Sequence, residues 1–207
     1  MNGVTRSKVI AEAVAIVEER GLEALTLTAI AKELGVSQPA VYRHVANHQE
    51  VLQAVSLHGR LALADVLADA AIGRAGDDAI RAVGHAWRSF VRRHPHLYIA
   101  IDACACAGVP ELEEAVERVV GVLESALQSH RLSEELRVHA ARTMRSAFHG
   151  FTDIEARQGH PSPHELDDTF EHLLDFLCAG VDELSRRVDR VPAVDGKGAS
   201  DGRVGGS

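Results

Sequence analysis

An all-α fold is the prediction for this sequence, and three observations carry it. Apolar residues recur three and four positions apart along most of the chain, the spacing that gathers them on one face of a helix. Proline and glycine mark the joints between those periodic stretches. No stretch alternates apolar and polar residues as a half-buried strand would, and no repeat of solenoid period is present.

The first predicted helix covers residues 4–20, with Val9, Ile10, Ala13, Val14, Ile16 and Val17 apolar and Gly21 as its stop. Arg6 and Lys8 at its start are placed to reach phosphate or a neighbouring minor groove, and two solvated charges are an equal account of them. Next come two short helices broken by a turn. Leu27, Ile30, Ala31 and Leu34 make the buried face of one, and Gly35 ends it, because glycine takes the left-handed conformation of a helix end without a Cβ penalty. Ser37 offers a side-chain oxygen as N-cap of the other, and Pro39 falls in its first turn, where a missing N–H costs little. Val41 and Val45 point inward, leaving Gln38, Ala40, Tyr42, Arg43 and His44 outside.

Asn47 with Glu50 then forms a capping-box-like start for a Leu- and Ala-rich helix reaching about Ala71, suited to pack on both sides and carry motion between them. After Gly73-Arg74-Ala75-Gly76 the character changes, and every aromatic residue except Tyr42 lies beyond this loop. Helices are predicted over 77–93, briefly after Pro95, and over 110–129, 133–157 and 163–187, followed by a disordered tail over 189–207 with hardly any apolar residues. The chain thus divides into a helix-turn-helix domain at 1–48, a larger helical domain at 49–188 that includes the linking helix, and the tail.

A helix-turn-helix places its second helix in a DNA major groove, and the outer residues suit that setting. Gln38 matches the edge of adenine, Arg43 that of guanine, and the small apolar surfaces of Pro39 and Ala40 a thymine methyl. Tyr42 and His44 suit phosphates, with Thr26, Thr28, Ser37 and His48 as further candidates. The formal charge of −8 argues against a nucleic-acid partner. Its distribution answers the objection: through Arg60, Arg6, Lys8, Arg20, Lys32, Arg43 and Arg60 cancel Glu12, Glu18, Glu19, Glu23, Glu33 and Glu50, so the acidity lies downstream. No uninterrupted apolar run approaches membrane-spanning length and no signal-peptide layout begins the chain, so a cytoplasmic protein is expected. Cys104, Cys106 and Cys178 are too few and too unevenly placed for a disulfide framework and read as packing residues.

Residues 35–45, Gly-Val-Ser-Gln-Pro-Ala-Val-Tyr-Arg-His-Val, preceded by Glu19-Arg20-Gly21-Leu22 and followed by Asn47 and Val51-Leu52, resemble the tetracycline-repressor (TetR/AcrR) family of bacterial regulators. The resemblance implies an all-helical homodimer, a three-helix DNA-binding unit, a fourth helix linking it onward, and a larger domain that binds a small molecule. Most such proteins are repressors that bind a palindromic operator and are released by their ligand. The family often carries a lysine as phosphate anchor at the start of the linking helix, where His48 stands in this chain.

Residues 145–155 resemble a subgroup with a bulky residue followed by His-Gly in this helix, here Phe148-His149-Gly150. Trp87, Phe90, Tyr98, Met144, Phe148, His149 and Phe151 are the candidate lining of a site for a small, apolar effector, although an aromatic at helical spacing is more often core and a lone helical histidine more often structural. A glycine inside a helix costs about 1 kcal/mol against alanine, so Gly150 is expected to serve a close approach. Phe170, Leu173, Leu174, Leu177 and Val181, widened by Phe176 and Cys178, make a stripe broader than one neighbour needs and are the candidate dimer interface, with burial in the chain's own core as the alternative.

Two rival functions remain at this point. Cys104-x-Cys106 near His94 and His96 invites a metal- or redox-responsive regulator of the same fold, although the spacing matches no standard zinc pattern, and no metal or cofactor is expected. A dimeric adaptor with a degenerate reader would bind no DNA. Ser146, His149 and Asp153 imitate a hydrolase triad by letter but lack a nucleophile elbow, so an enzyme is not expected.

Overall fold

The computed structural model describes residues 3–161 and 164–190, with side chains described through Arg187. Helix α1 (Arg6–Arg20) begins where Thr5, in extended backbone, accepts a hydrogen bond from the Lys8 N–H. After a 3-10 turn at Leu22–Ala24, Thr26 caps α2 (Leu27–Glu33) by accepting from the Ala29 N–H at 3.0 Å. Gly35, at φ 65°, reverses the chain, and the N–H groups of Gly35 and Val36 close α2 by donating to the carbonyls of Lys32 and Ala31. α3 (Gln38–Val41) follows, and hydrogen-bonded turns continue it to Val45. Its regular part is shorter than the sequence suggests, and Ser37 sits at the N-cap without a side-chain cap bond. Val9, Ala13, Ile16, Val17, Ile30, Val41 and Val45 are buried where these helices meet. Each large side chain among them stabilises the fold by roughly 1.5–3 kcal/mol relative to exposure. So small a core needs a platform, and α4 supplies it.

Asn47 caps α4 (His48–Ala71), accepting from the Glu50 N–H, while Glu50 turns to the Ala46 N–H instead of completing a reciprocal capping box. α4 packs against α1 on one side and α5 (Gly76–Arg93), α6 (Pro95–Ile101) and α7 (Pro110–Ala126) on the other. By length and composition α4 is apolar enough to cross a membrane, but half of that stretch is buried against these neighbours. A Cβ on Gly59 would lie 2.8 Å from Ile101, and one on Gly84 would lie 2.6 Å from Leu174, so these two glycines mark where α4 meets α6 and α5 meets α9. Gly150 does not serve such an approach within the chain, since nothing lies within 4 Å of its Cβ position.

α8 (Glu134–Ala156) and α9 (Leu166–Arg190) close the bundle over α5. Buried Arg88 on α5 bonds both carboxylate oxygens of Glu155 at 2.7 and 2.9 Å, lies over the rings of Phe170 and Phe151, and shares Asp167 with Arg92. This fastens α5, α8 and α9 together. Of the stripe expected to face a partner, Phe170, Leu174 and Val181 are buried in the chain's own core, and only Leu173 and Leu177 remain half-exposed. Phe176, which the sequence places at the margin, is the exposed one at 77%. The reason is angular: the three buried positions sit on the side of α9 that meets α5 and α8. Pro163, the expected start of this helix, lies outside the described residues, as does the expected tail beyond Arg190; its first two positions continue α9.

Candidate DNA interface and regulatory cavity

The turn geometry presents one side of α3 to solvent. Ser37, Gln38, Pro39, Tyr42 and Arg43 are exposed there, Ala40 and His44 are half-exposed, and Thr26 and Thr28 stand exposed at the start of α2. The side chains of Arg43 and Lys32 make no hydrogen bond or ion pair among the described residues, and both are exposed, so their charge faces outward. Thr26 uses its hydroxyl as the cap of α2, and Thr28 is exposed in the first turn. Two candidates are engaged elsewhere: Arg6 pairs with Glu50 at 3.0 Å, and Lys8 donates to the Gly3 carbonyl. His48 bonds the Leu25 carbonyl through Nε2 at 2.8 Å. Because a carbonyl only accepts, Nε2 carries the proton. Nδ1 can then donate to a phosphate only when the ring is protonated.

A second site lies between the reader's platform and α8. A cavity of about 20 Å³ is lined by Arg60 of α4, Trp87 of α5, Tyr98 and Asp102 at α6, and Arg145 and His149 of α8, with aliphatic walls from α4, α6 and α7. That volume suits roughly one water. Three of the expected effector residues, Trp87, Tyr98 and His149, meet here. Phe90, Met144 and Phe148 are core residues, and Phe151 packs on Phe170 beneath Arg88. The lining is also more polar than the expected aromatic wall. The Trp87 N–H donates to the Tyr98 oxygen at 3.0 Å, and the Tyr98 hydroxyl lies 2.8 Å from His149 Nδ1. Burial raises the Tyr98 hydroxyl to about 12, so it keeps its proton.

Arg60 donates to the Ile101 carbonyl at 2.7 Å and to Asp102 at 3.1 Å, and Ser56 donates to the same carbonyl. The far end of α6 is tied to the reader instead, with His94 on the Glu18 carboxylate and His96 on the Glu18 carbonyl. α6 therefore touches the cavity at one end and α1 at the other. Arg60, Asp102 and Arg145 escaped the sequence reading, although an arginine inside the Leu- and Ala-rich α4 is a signal that could have found the first of them.

Other expected chemistries separate in space. His94 and His96 turn to α1 and form no metal-ligand group with Cys104 and Cys106; among the described residues such a group occurs only at Asp77, His130 and Asp182. Ser146 donates to the Arg142 carbonyl, His149 meets Tyr98, and Asp153 pairs with Arg157, so no triad assembles.

A helix-turn-helix reader joined by a long helix to a larger helical domain defines a class of DNA-binding regulators. Residues 9–55 match the family model of bacterial regulatory proteins of the tetR family, and residues 80–177 match the tetracyclin repressor-like C-terminal domain. The chain belongs to the tetracycline-repressor family of transcriptional regulators and is not an enzyme. YobS of Bacillus subtilis, described as an uncharacterised HTH-type transcriptional regulator, is 25% identical over 86% of this chain and 93% of its own. The class D tetracycline repressor protein of Escherichia coli is 33% identical over 45% of this chain and 38% of its own. Among solved structures, BioQ of Mycobacterium smegmatis superimposes with a TM-score of 0.62 at 28% identity, over 87% of this chain and 99% of that one. A structure of BioQ with its double-stranded DNA operator gives 0.66 at 24% identity, over 86% of this chain and 98% of that one.

Proposed function

We propose that two copies of this chain form a cytoplasmic homodimer that reads a palindromic operator through paired α3 helices, represses transcription, and leaves the DNA when a small molecule enters the cavity between α4 and α8. The observation that carries this reading is the outer face of α3, where Gln38, Tyr42 and Arg43 stand exposed together on a short rigid element with Arg43 unpaired. DNA is the partner whose chemistry fits them, and the related BioQ fold has been solved with its operator.

Dimerisation is supported by a continuous open face on the last two helices. Thr143, Ser146 and Ile154 of α8 and Phe176 and Gly180 of α9 are exposed there, and both Gly150 and Gly180 have open space at their Cβ positions, room for a second pair of helices. Release follows from the connection through α6. A molecule larger than a water must part α6 from α4 and α8, and α6 is fastened to α1 at Glu18. Half-site spacing then departs from about one turn of B-DNA, roughly 34 Å. Selection of bound sequences from random DNA with the purified protein tests the reading. A palindrome is the expected product, and recovery of unenriched sequence at low salt would favour an adaptor.

A further inference from the structure

We propose that the effector is a small organic anion, a carboxylate on a compact apolar body, gripped by Arg145 and His149. The inference rests on the cavity being the effector site and adds the chemical class of its ligand. Among the charges that line the cavity, Arg60 and Asp102 satisfy each other, and Arg60 is further bonded to the Ile101 carbonyl. Arg145 is half-buried and has neither a hydrogen bond nor an ion pair among the described residues. A cation held partly out of water without a partner is costly. The lining therefore carries one positive charge that only an incoming group can neutralise.

His149 supplies the second donor. The Trp87 N–H donates to the Tyr98 oxygen at 3.0 Å, and the Tyr98 hydroxyl lies 2.8 Å from His149 Nδ1, to which it can donate. In that arrangement Nε2 carries the hydrogen, and the Asp102 carboxylate is 3.6 Å from it, too far for a good hydrogen bond. Trp87 and Tyr98 are buried, so the relay is held rigid before any ligand arrives. Arg145 and His149 lie one helical turn apart on α8, with their donors on one face. The two oxygens of a carboxylate can take one donor each. Leu63, Ile101, Val116 and Val119 make the remaining wall, which offers apolar contact to an aromatic or short aliphatic body once α6 has parted from α4 and α8 to admit it. A neutral ligand would leave Arg145 desolvated and unpaired, and a cation would be repelled by it. An anion bound there also repels Asp102, which is tied through Arg60 to α4, so its charge acts on the linking helix itself.

The test is calorimetric titration of the full chain at neutral pH with benzoate, 4-phenylbutyrate and hexanoate, each beside its amide. At least one acid should bind, its amide at least tenfold more weakly. Arg145→Gln should weaken the acid at least tenfold and erase the preference over the amide, Arg145→Lys should restore part of it, and Arg74→Gln, a remote surface change, should leave it intact. Circular dichroism checks that each variant is folded. Absence of binding by every acid, equal binding of acid and amide, or indifference to Arg145→Gln would overturn the proposal. Val119→Trp, which fills the cavity, separates the two levels of the argument. An acid that still binds this variant would show that the cavity is not the site. A neutral molecule that Val119→Trp excludes and that releases DNA would keep the cavity as the site while removing the anion from it.

Discussion

Tyr42 and Arg43 stand side by side on the outer surface of the reader, and their chemistry assigns them different tasks. Arg43→Ala should cost about 1–3 kcal/mol of operator binding and relax preference at one symmetric pair of bases, whereas Tyr42→Phe should weaken all sequences alike. Binding profiles over an operator library check both, and equal, sequence-independent losses would remove Arg43 from base reading. At the same scale Glu155 makes a stability prediction. Burial pushes its carboxyl up, but the hydrogen bonds from Arg88 and Arg92 outweigh that and hold it below the ordinary range. Its folded value lies under the unfolded one of about 4.3, so the stabilisation is complete above that pH and is lost as pH falls through the folded value. Glu155→Gln removes the nearly buried one of the two carboxylates on Arg88, leaving it only the exposed Asp167, and should cost about 3 kcal/mol at pH 7, a gap that narrows in acid. Urea unfolding of both proteins at pH 7 and pH 4 measures it. Which side chains of α3 face out was legible in sequence, because a turn glycine, a first-turn proline and inward valines fix its orientation. The cavity was not, since Arg60, Asp102 and Arg145 come from three separate segments and only the packing of α4, α6 and α8 brings them together.

Elements were easier to place than their faces. The sequence locates each helix to within a few residues because caps and joints are local features, yet it assigns Phe170, Leu174 and Val181 to a partner when they belong to the core against α5 and α8. Spacing reveals an apolar stripe without revealing what lies opposite. Phe176→Arg should therefore abolish the dimer while leaving helicity intact, because that side chain is already exposed in the single chain. Light scattering with circular dichroism decides it, and a mutant that stays dimeric would move the interface elsewhere. Glycines separate in the same way. Gly84→Ala sets a methyl 2.6 Å from Leu174 and should destabilise the chain by about 1–3 kcal/mol in thermal or urea unfolding, whereas Gly150→Ala meets nothing within the chain.

For the whole molecule, the proposed release of DNA runs through α6. It carries Tyr98 and ends at Asp102 in the cavity, while His94 and His96 hold its other end against α1. Coupling through it must be reciprocal: operator should weaken effector binding by the same factor by which effector weakens operator binding, with about 5- to 150-fold as the usual range. The central claim, that two chains read DNA together through α3, is tested most directly by an anisotropy titration of the selected operator near physiological salt, with the full palindrome compared against a single half-site. The account predicts two chains on each palindrome and at least a tenfold loss on the half-site. One chain per duplex, or equal binding to palindrome and random duplex, would contradict it.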